Sequence, residues 1–460
     1  MASATLINMS RSFKTVDYEA TLNQTVRLGD CLPPDHLARF IVDVIAQLDL
    51  SAIYARYRTR GGAPYAPEIL FGLLAYGYAT GVFSSRQIER ATYESAPFRF
   101  IAGNLHPDHE TIASFRKTFL PELQDLFVQV LVLAQALGVL KLGNISIDDT
   151  KIHADASKSK AVSYKRLQEL QTQLRAEVEA LFTLATHADQ ASLPDGLVVA
   201  TEIALREERL ARLAEAKAVL EARAQERDAL EQAEYEGKVR EREAKARRKG
   251  KPPGGRPPTP PTPGPRDDDQ YNFTDPESRI MKNSTDKGFN QHYNAQVAVD
   301  QACLLIVGTS LANHPTDQRE VGPILEAIPA ELGVPDAAAL DAGYFSAANI
   351  ETLHGQGTEA YIATGREPHH WDWQSYFVDE PLPPPSDASA KEQMAYKLRT
   401  AVGHAIYRLR KCTVEPVIGL MKEVLGFRQF SLRGVAGAAG EWVLVCLACN
   451  LKRLQALSVG

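Results

Sequence analysis

Three acidic residues, Asp148, Asp341 and Glu415, stand where carboxylates could do chemistry together. Asp148 opens the Asp148-Asp149-Thr150 end of the stretch 144–150 and Asp341 follows 337–340, so each lies at the end of a stretch that reads as a buried strand. Glu415 lies in a later helical stretch. Open α/β sheets gather their active sites at the carboxyl ends of strands. Carboxylate oxygens suit Mg²⁺, or Mn²⁺ in its place. Three of them suffice to hold two ions about 4 Å apart, one activating the attacking oxygen and one stabilising the leaving oxygen. Taken singly, each aspartate fits a turn or cap equally well.

Around Glu415 the sequence is basic. Arg408, Arg410, Lys411, Lys422, Arg428 and Arg433 stand against Glu415 and Glu423, in a chain whose net charge is −6. At 3.6 residues per turn, Tyr407, Lys411, Glu415 and Lys422 fall near one helical face. Cations there would hold phosphate groups and keep the carboxylate ionised. A solvated amphipathic helix has the same spacing. Pro416 cannot donate to the carbonyl of Cys412, which predicts a kink or a helix that starts at Pro416.

The elements that must position these groups divide the chain. Residues 1–140 read as helical, with an amphipathic run after Pro33-Pro34-Asp35 and an apolar helix over 67–78. Polar helices behind Ser84 and Asp108 carry Arg86 and Arg116, candidates for DNA contact in a helix-turn-helix-like unit; a plain helical bundle fits the same pattern. Residues 141–159 hold the first strand of the catalytic domain. Leu167, Leu170, Leu174, Val178 and Leu181, then Ile203, Leu210, Leu213 and Leu220, form helical seams. These make 160–251 an inserted hairpin or coiled coil, self-packed or paired with another protomer. Residues 252–270 form a proline-rich linker, polyproline-like or disordered. Over 271–460 come strands at 292–299, 304–309, 337–340 and 359–363, helices near 318–327 and 347–353, and a long helical region from about 391. Without the insertion, this order is that of an α/β, RNase H-like mixed sheet flanked by helices.

Ile147-Asp148-Asp149-Thr150-Lys151-Ile152, Asp341-Ala342-Gly343-Tyr344-Phe345 and the run from Tyr407 through Arg410 and Glu415 to Lys422 resemble the motifs of insertion-sequence DDE transposases that carry an InsH-type N-terminal helical domain. Two further blocks, 275–282 and 293–300, are similar to others in that family. The family's first motif usually reads Asp-Gly-Thr-Lys, so Asp149 replaces the glycine. Strand alternation sends Asp148 and Asp149 to opposite faces, and motif register favours Asp148. Four residues rather than three separate Arg410 from Glu415; Lys411 has the usual spacing. The resemblance implies metal-dependent cleavage and joining of DNA at terminal inverted repeats, with Asp148, Asp341 and Glu415 as catalytic and metal-ligating acids. It also implies a homodimer or larger synaptic assembly that brings two ends together. Arg366 and Trp371 follow the last strand, beside His369, His370 and Trp373. Trp371 would stack on a displaced base or anchor its loop, and His314 lies in a segment expected near the site. An RNase H-like nuclease without strand transfer, or a domesticated DNA-binding scaffold, would share the pattern.

Five cysteines without framework spacing fit a reducing compartment, and Cys446 and Cys449 read as core thiols. No signal-like core opens the sequence, and the apolar run 442–449 is too short to span a bilayer. These features predict a cytoplasmic protein.

Overall fold

In the computed structural model, residues 27–57, 63–187, 198–250, 254–282, 288–365, 382–385 and 388–459 are described. The amphipathic run behind the His36 cap forms α1 (Leu37–Ile45), with Ala38, Ile41, Val44 and Ile45 buried. Pro67, placed at a helix start where its missing N–H costs nothing, opens α2 (Pro67–Ala79). Nearly every side chain of α2 is buried, so it forms the centre of the helical layer rather than its surface. α3 (Ser85–Glu94), α4 (His109–Thr118) and α5 (Leu120–Ala136) complete that layer. Glu89 locks α3 to α4, accepting from the His109 backbone at 3.0 Å and meeting its ring at 2.7 Å.

β1 (Asn144–His153) then enters the sheet, and the chain leaves it again for the insertion. β2 (Ala161–Ser163), α6 (Tyr164–His187), α7 (Val199–Lys249) and β3 (Gln270–Asn272) make up that excursion. The sheet resumes with β4 (Arg279–Lys282), β5 (Phe289–Asp300), β6 (Ile306–Ala312), α8 (Val321–Glu326), β7 (Ala337–Leu340), α9 (Ala347–Gly355) and β8 (Glu359–Ile362). α10 (Ala390–Arg399), α11 (Ala401–Gly419) and α12 (Val435–Val459) follow. β5 pairs antiparallel with β4 and β6 along one edge and with β1 along the other; β1, β7 and β8 run parallel. This is the RNase H-like mixed sheet. The parallel register sets Ile147 beside Leu340, so Asp148 and Asp341 stand at the same level. Asp341 follows the end of β7 as expected, whereas Asp148 lies in the middle of β1, which runs on to His153 rather than ending at the acid.

One apolar core runs from Ala38 in α1 through β1 and β5 to Leu454 in α12. Helical layer and sheet therefore share their packing. By length and composition, Val435–Ser458 could cross a membrane, but 67% of its apolar window is buried within the fold, as for a core helix. Cys446 and Cys449 lie on it, buried and free.

The insertion has a core of its own, with Val162, Leu167, Leu174, Leu213, Ala216, Leu220 and Tyr271 buried. α6 and α7 pack together as the seams predict. Two features differ from expectation. A β2–β3 ribbon clamps the root of the excursion. The proline segment is also a docked strap rather than a free linker. Arg242 donates to Gly255 O at 2.9 Å, Asp228 accepts from Gly264 N at 2.5 Å, and Arg227 donates to Gly264 O at 3.0 Å. In extended polyproline form, residues 255–264 span about 28 Å. That covers the about 22 Å of helix between Arg242 and Arg227. Proline supplies the stiffness, and polar contacts with α7 hold it down. Arg227 also forks onto Asp269 at 2.7 and 3.0 Å. Arg227→Ala is expected to free the strap at a cost of about 2 kcal/mol, seen as faster limited proteolysis within 254–265 with little change in overall melting.

Candidate active site

β1 delivers Asp148 and Asp149 side by side, and alternation gives them different partners. Asp148 Oδ2 accepts from Arg410 Nη1 at 2.8 Å, and Arg410 Nη2 lies 3.7 Å from Glu415 Oε1. Arg410 is thus the bridge between the first strand and α11. Asp149 turns to Lys151 at 2.6 Å, and Lys151 also meets Asp317 at 3.2 Å. Asp341 caps the turn after β7, accepting from Gly343 N at 2.8 Å. A side chain at Gly343 would start 3.0 Å from Asp341 Oδ1 and 3.3 Å from Asp317 Oδ2, so glycine leaves that space to the acids.

The electrostatics reflect the crowding. Burial raises Asp148 to about 7; Arg410 opposes the rise, and the charges of Asp149 and Asp341 add to it. Asp149 is raised by burial, against Lys151 and with Asp317 and Asp341. Burial, and the charges of Asp149, Asp317, Asp148 and Asp341, push the Tyr344 hydroxyl well above its ordinary value. For Arg410, burial pulls downward, but Asp148, Tyr407 and Asp341 leave it above its ordinary value.

The Asp148 shift carries a pH prediction. Its folded value exceeds the ordinary 3.8, so the folded chain keeps a proton that the unfolded chain releases. Stability from this group is full below about pH 4 and is lost as pH rises through about 7, by at most about 4 kcal/mol. Melting in chelator should therefore fall between pH 5 and 8, with a flatter profile in Asp148→Asn.

Other predicted residues divide by placement. α11 runs through Pro416 and neither starts nor ends there; the irregularity is the π turn Leu420–Val424 that follows. Its extra residue per turn takes Lys422 off the simple helical face. Lys422 reaches β1, donating to Thr150 Oγ1 at 3.0 Å, and burial lowers its pKa. Lys411 is exposed on α11 and Tyr407 half-buried. Arg86 is exposed on α3. Arg116 faces inward: it is buried, donating to Tyr78 Oη at 2.7 Å, with Glu441 at 3.4 Å. Its charge is spent on the core, so the expectation that it contacts DNA is corrected. His314 pairs with buried Glu320 at 3.0 Å. Arg366, Trp371, Trp373, His369 and His370 lie outside the described residues.

A polar network in this region has no counterpart in the predicted trio. Asn294 donates to Asp317 Oδ1 at 2.7 Å, Gln296 lies at 3.4 Å from the same oxygen, and Tyr344 donates to Gln296. Both β5 side chains are fully buried. The available signal was two amides at alternate positions of an apolar strand, hence on one face.

Among the described residues, no three acidic, histidine or cysteine side chains converge closely enough to share an ion. In donor chemistry the acids still fit a hard divalent cation. They are oxygens on adjoining elements, Asp148 and Asp149 are raised partly by neighbouring acids, and a guanidinium supplies the positive charge beside Asp148.

Two family models match the chain: a transposase domain (DUF772) over residues 26–118 and a transposase DDE domain over residues 385–455. The second segment contains Glu415 and neither Asp148 nor Asp341. No curated protein and no solved structure matches the chain.

Proposed function

We infer that this chain, which belongs to the insertion-sequence DDE transposases, binds the inverted repeats at the ends of an element, cuts a phosphodiester there and joins the freed 3′-hydroxyl to target DNA. One observation carries the reading. Asp148, within β1, and Asp341, just past the end of β7, follow the paired residues Ile147 and Leu340 on adjacent parallel strands, and Arg410 links Asp148 to Glu415. Asp148, Asp341 and Glu415 are the residues that would hold Mg²⁺, with Mn²⁺ as substitute. Bound ions would supply activation of the attacking oxygen and stabilisation of the leaving one. The chain's own groups aim and compensate. Arg410 offsets part of the burial of Asp148, and Lys151 pairs with Asp149; the motif register gives the first-acid role to Asp148. Lys411 and Tyr407 on α11, and Arg86 on α3, would hold phosphates of the bound DNA. Lys422 fixes the end of β1 to the π turn. Joining two ends calls for two active sites, and a homodimer is the smallest assembly that supplies them.

Purified chain incubated with a labelled element end, Mg²⁺ and a target duplex is expected to give cleaved and joined products. Cleavage without joining would replace the proposal with a nuclease, and binding alone would replace it with a scaffold.

A further inference from the structure

A cleft of about 490 Å³ lies between the middle of α7, the segment 266–270 that follows the proline strap, β4 and the loop 313–319. Five arginines line it, and three are neutralised: Arg227 by Asp269, Arg266 by Glu231 and Arg319 by Glu234. Arg223 and Arg279 have no ion pair among the described residues. Both instead donate to one neutral acceptor, Pro276 O, at 2.6 and 3.0 Å. Arg279 adds the carbonyls of Glu277 at 2.8 Å and Ser278 at 3.0 Å. Arg223 lies over the Tyr271 ring, 5.8 Å from its centroid, and its Nη1 is buried without a hydrogen-bond partner. Two guanidiniums at one carbonyl set two like charges side by side in a half-buried cleft. The carboxylates of Glu277, Asp275, Asp269 and Glu226 act on them without forming an ion pair, and an anion with several oxygens would engage both directly. Burial and the adjacent Arg223 push Arg279 down to about 10.

We propose that this cleft seats a backbone phosphate of the bound DNA, gripped by Arg223 and Arg279. The proposal rests on the transposase reading and extends its DNA path onto the insertion. Continuity with the acids supports the choice of ligand. His314 and Arg319 line the cleft, whereas Asp317, between them in the same loop, meets Lys151 beside Asp149. The loop 313–319 thus borders both the cleft and the acids. Glu226 and Asp268 are exposed at the rim. They favour one phosphate at the arginines over a long polyanion across the opening.

The test is binding of the full chain to an element-end duplex in chelator across a salt series. Arg223→Gln with Arg279→Gln is expected to weaken binding about tenfold and to lower the salt slope by about one to two. A folded double variant with unchanged affinity and slope overturns the site and leaves the transposase reading standing. Should the variant fail to fold, the unaltered chain is treated with phenylglyoxal and its peptides weighed. The duplex is expected to protect Arg223 and Arg279. Absence of protection overturns the site, as does protection by millimolar inorganic phosphate but not by DNA, which would assign the cleft to free phosphate. If the unaltered chain binds no element end, the transposase reading falls and this site with it.

Discussion

Asp341→Asn is expected to reduce strand cleavage by at least about a thousandfold while leaving binding of the element end and the melting temperature near those of the parent chain. The magnitude follows from the carboxylate's place in the proposed metal-binding trio. Removing one ligand forfeits several kcal/mol of charge stabilisation in the transition state, and each 1.4 kcal/mol is a factor of ten. The substitution is clean because, among the described residues, the Asp341 side chain makes a single hydrogen bond. Its Oδ1 accepts from Gly343 N, and the asparagine oxygen can do the same. Asp148→Asn is less clean, since it takes the counter-charge from buried Arg410. Glu415, whose side chain is about half exposed, tolerates Gln without disturbing the core. Cleavage assays with a radiolabelled end, beside mobility shifts and melting curves, separate these effects. Full cleavage by Asp341→Asn would remove Asp341 from the trio.

That expectation could be written from the sequence because strand-end position is a local property. An apolar run followed by Asp needs no tertiary information, and β7 ends at Leu340 as its all-apolar run indicates. β1 instead runs on past Asp148 to His153, because β5 pairs with it along its length. The parallel register that brings Asp148 and Asp341 level is a long-range fact, set by packing between residues nearly two hundred positions apart. Arg410 shows the limit from the other side. Spacing in the motif favoured Lys411, yet the guanidinium on the inner side of α11 is long enough to reach both Asp148 and Glu415. A helical wheel orders Cβ directions and does not record how far a side chain extends past them. The proline strap was misjudged for a similar reason. Composition dictated its extended form, but whether such a segment stays free depends on partners such as Asp228 and Arg242, which lie in another element. The same holds for Arg116, whose helix reads as a polar surface until Glu441 is brought to it from α12.

Glu441→Ala is expected to destabilise the whole chain by about 3–5 kcal/mol, the largest stability loss of any single exchange considered. Glu441 is fully buried at the joint between helical layer and sheet. Its Oε1 accepts from Tyr78 Oη at 2.6 Å and faces Arg116 Nη1 at 3.4 Å; its Oε2 accepts from Ser431 N at 2.7 Å and Leu432 N at 2.9 Å. Alanine there would leave a buried guanidinium without its counter-charge, and a phenol and two backbone N–H groups without their acceptor. Each of these losses is costly away from water. Glu441→Gln keeps an acceptor for part of the set and should cost less, whereas Arg116→Met removes the unpaired cation. Adding Arg116→Met to Glu441→Ala should therefore restore part of the loss, a coupling that a double-mutant cycle reads directly from denaturant midpoints. If Glu441→Ala melts within a degree of the parent chain, the joint does not hold the two parts together. The consequence reaches function, because Tyr78 and Arg116 belong to α2 and α4 while Ser431 and Leu432 follow the π turn that carries Lys422 to β1. Loosening Glu441 should release the helical layer and the basic flank of the acids at once, so milder exchanges at this joint should weaken end binding and cleavage in parallel.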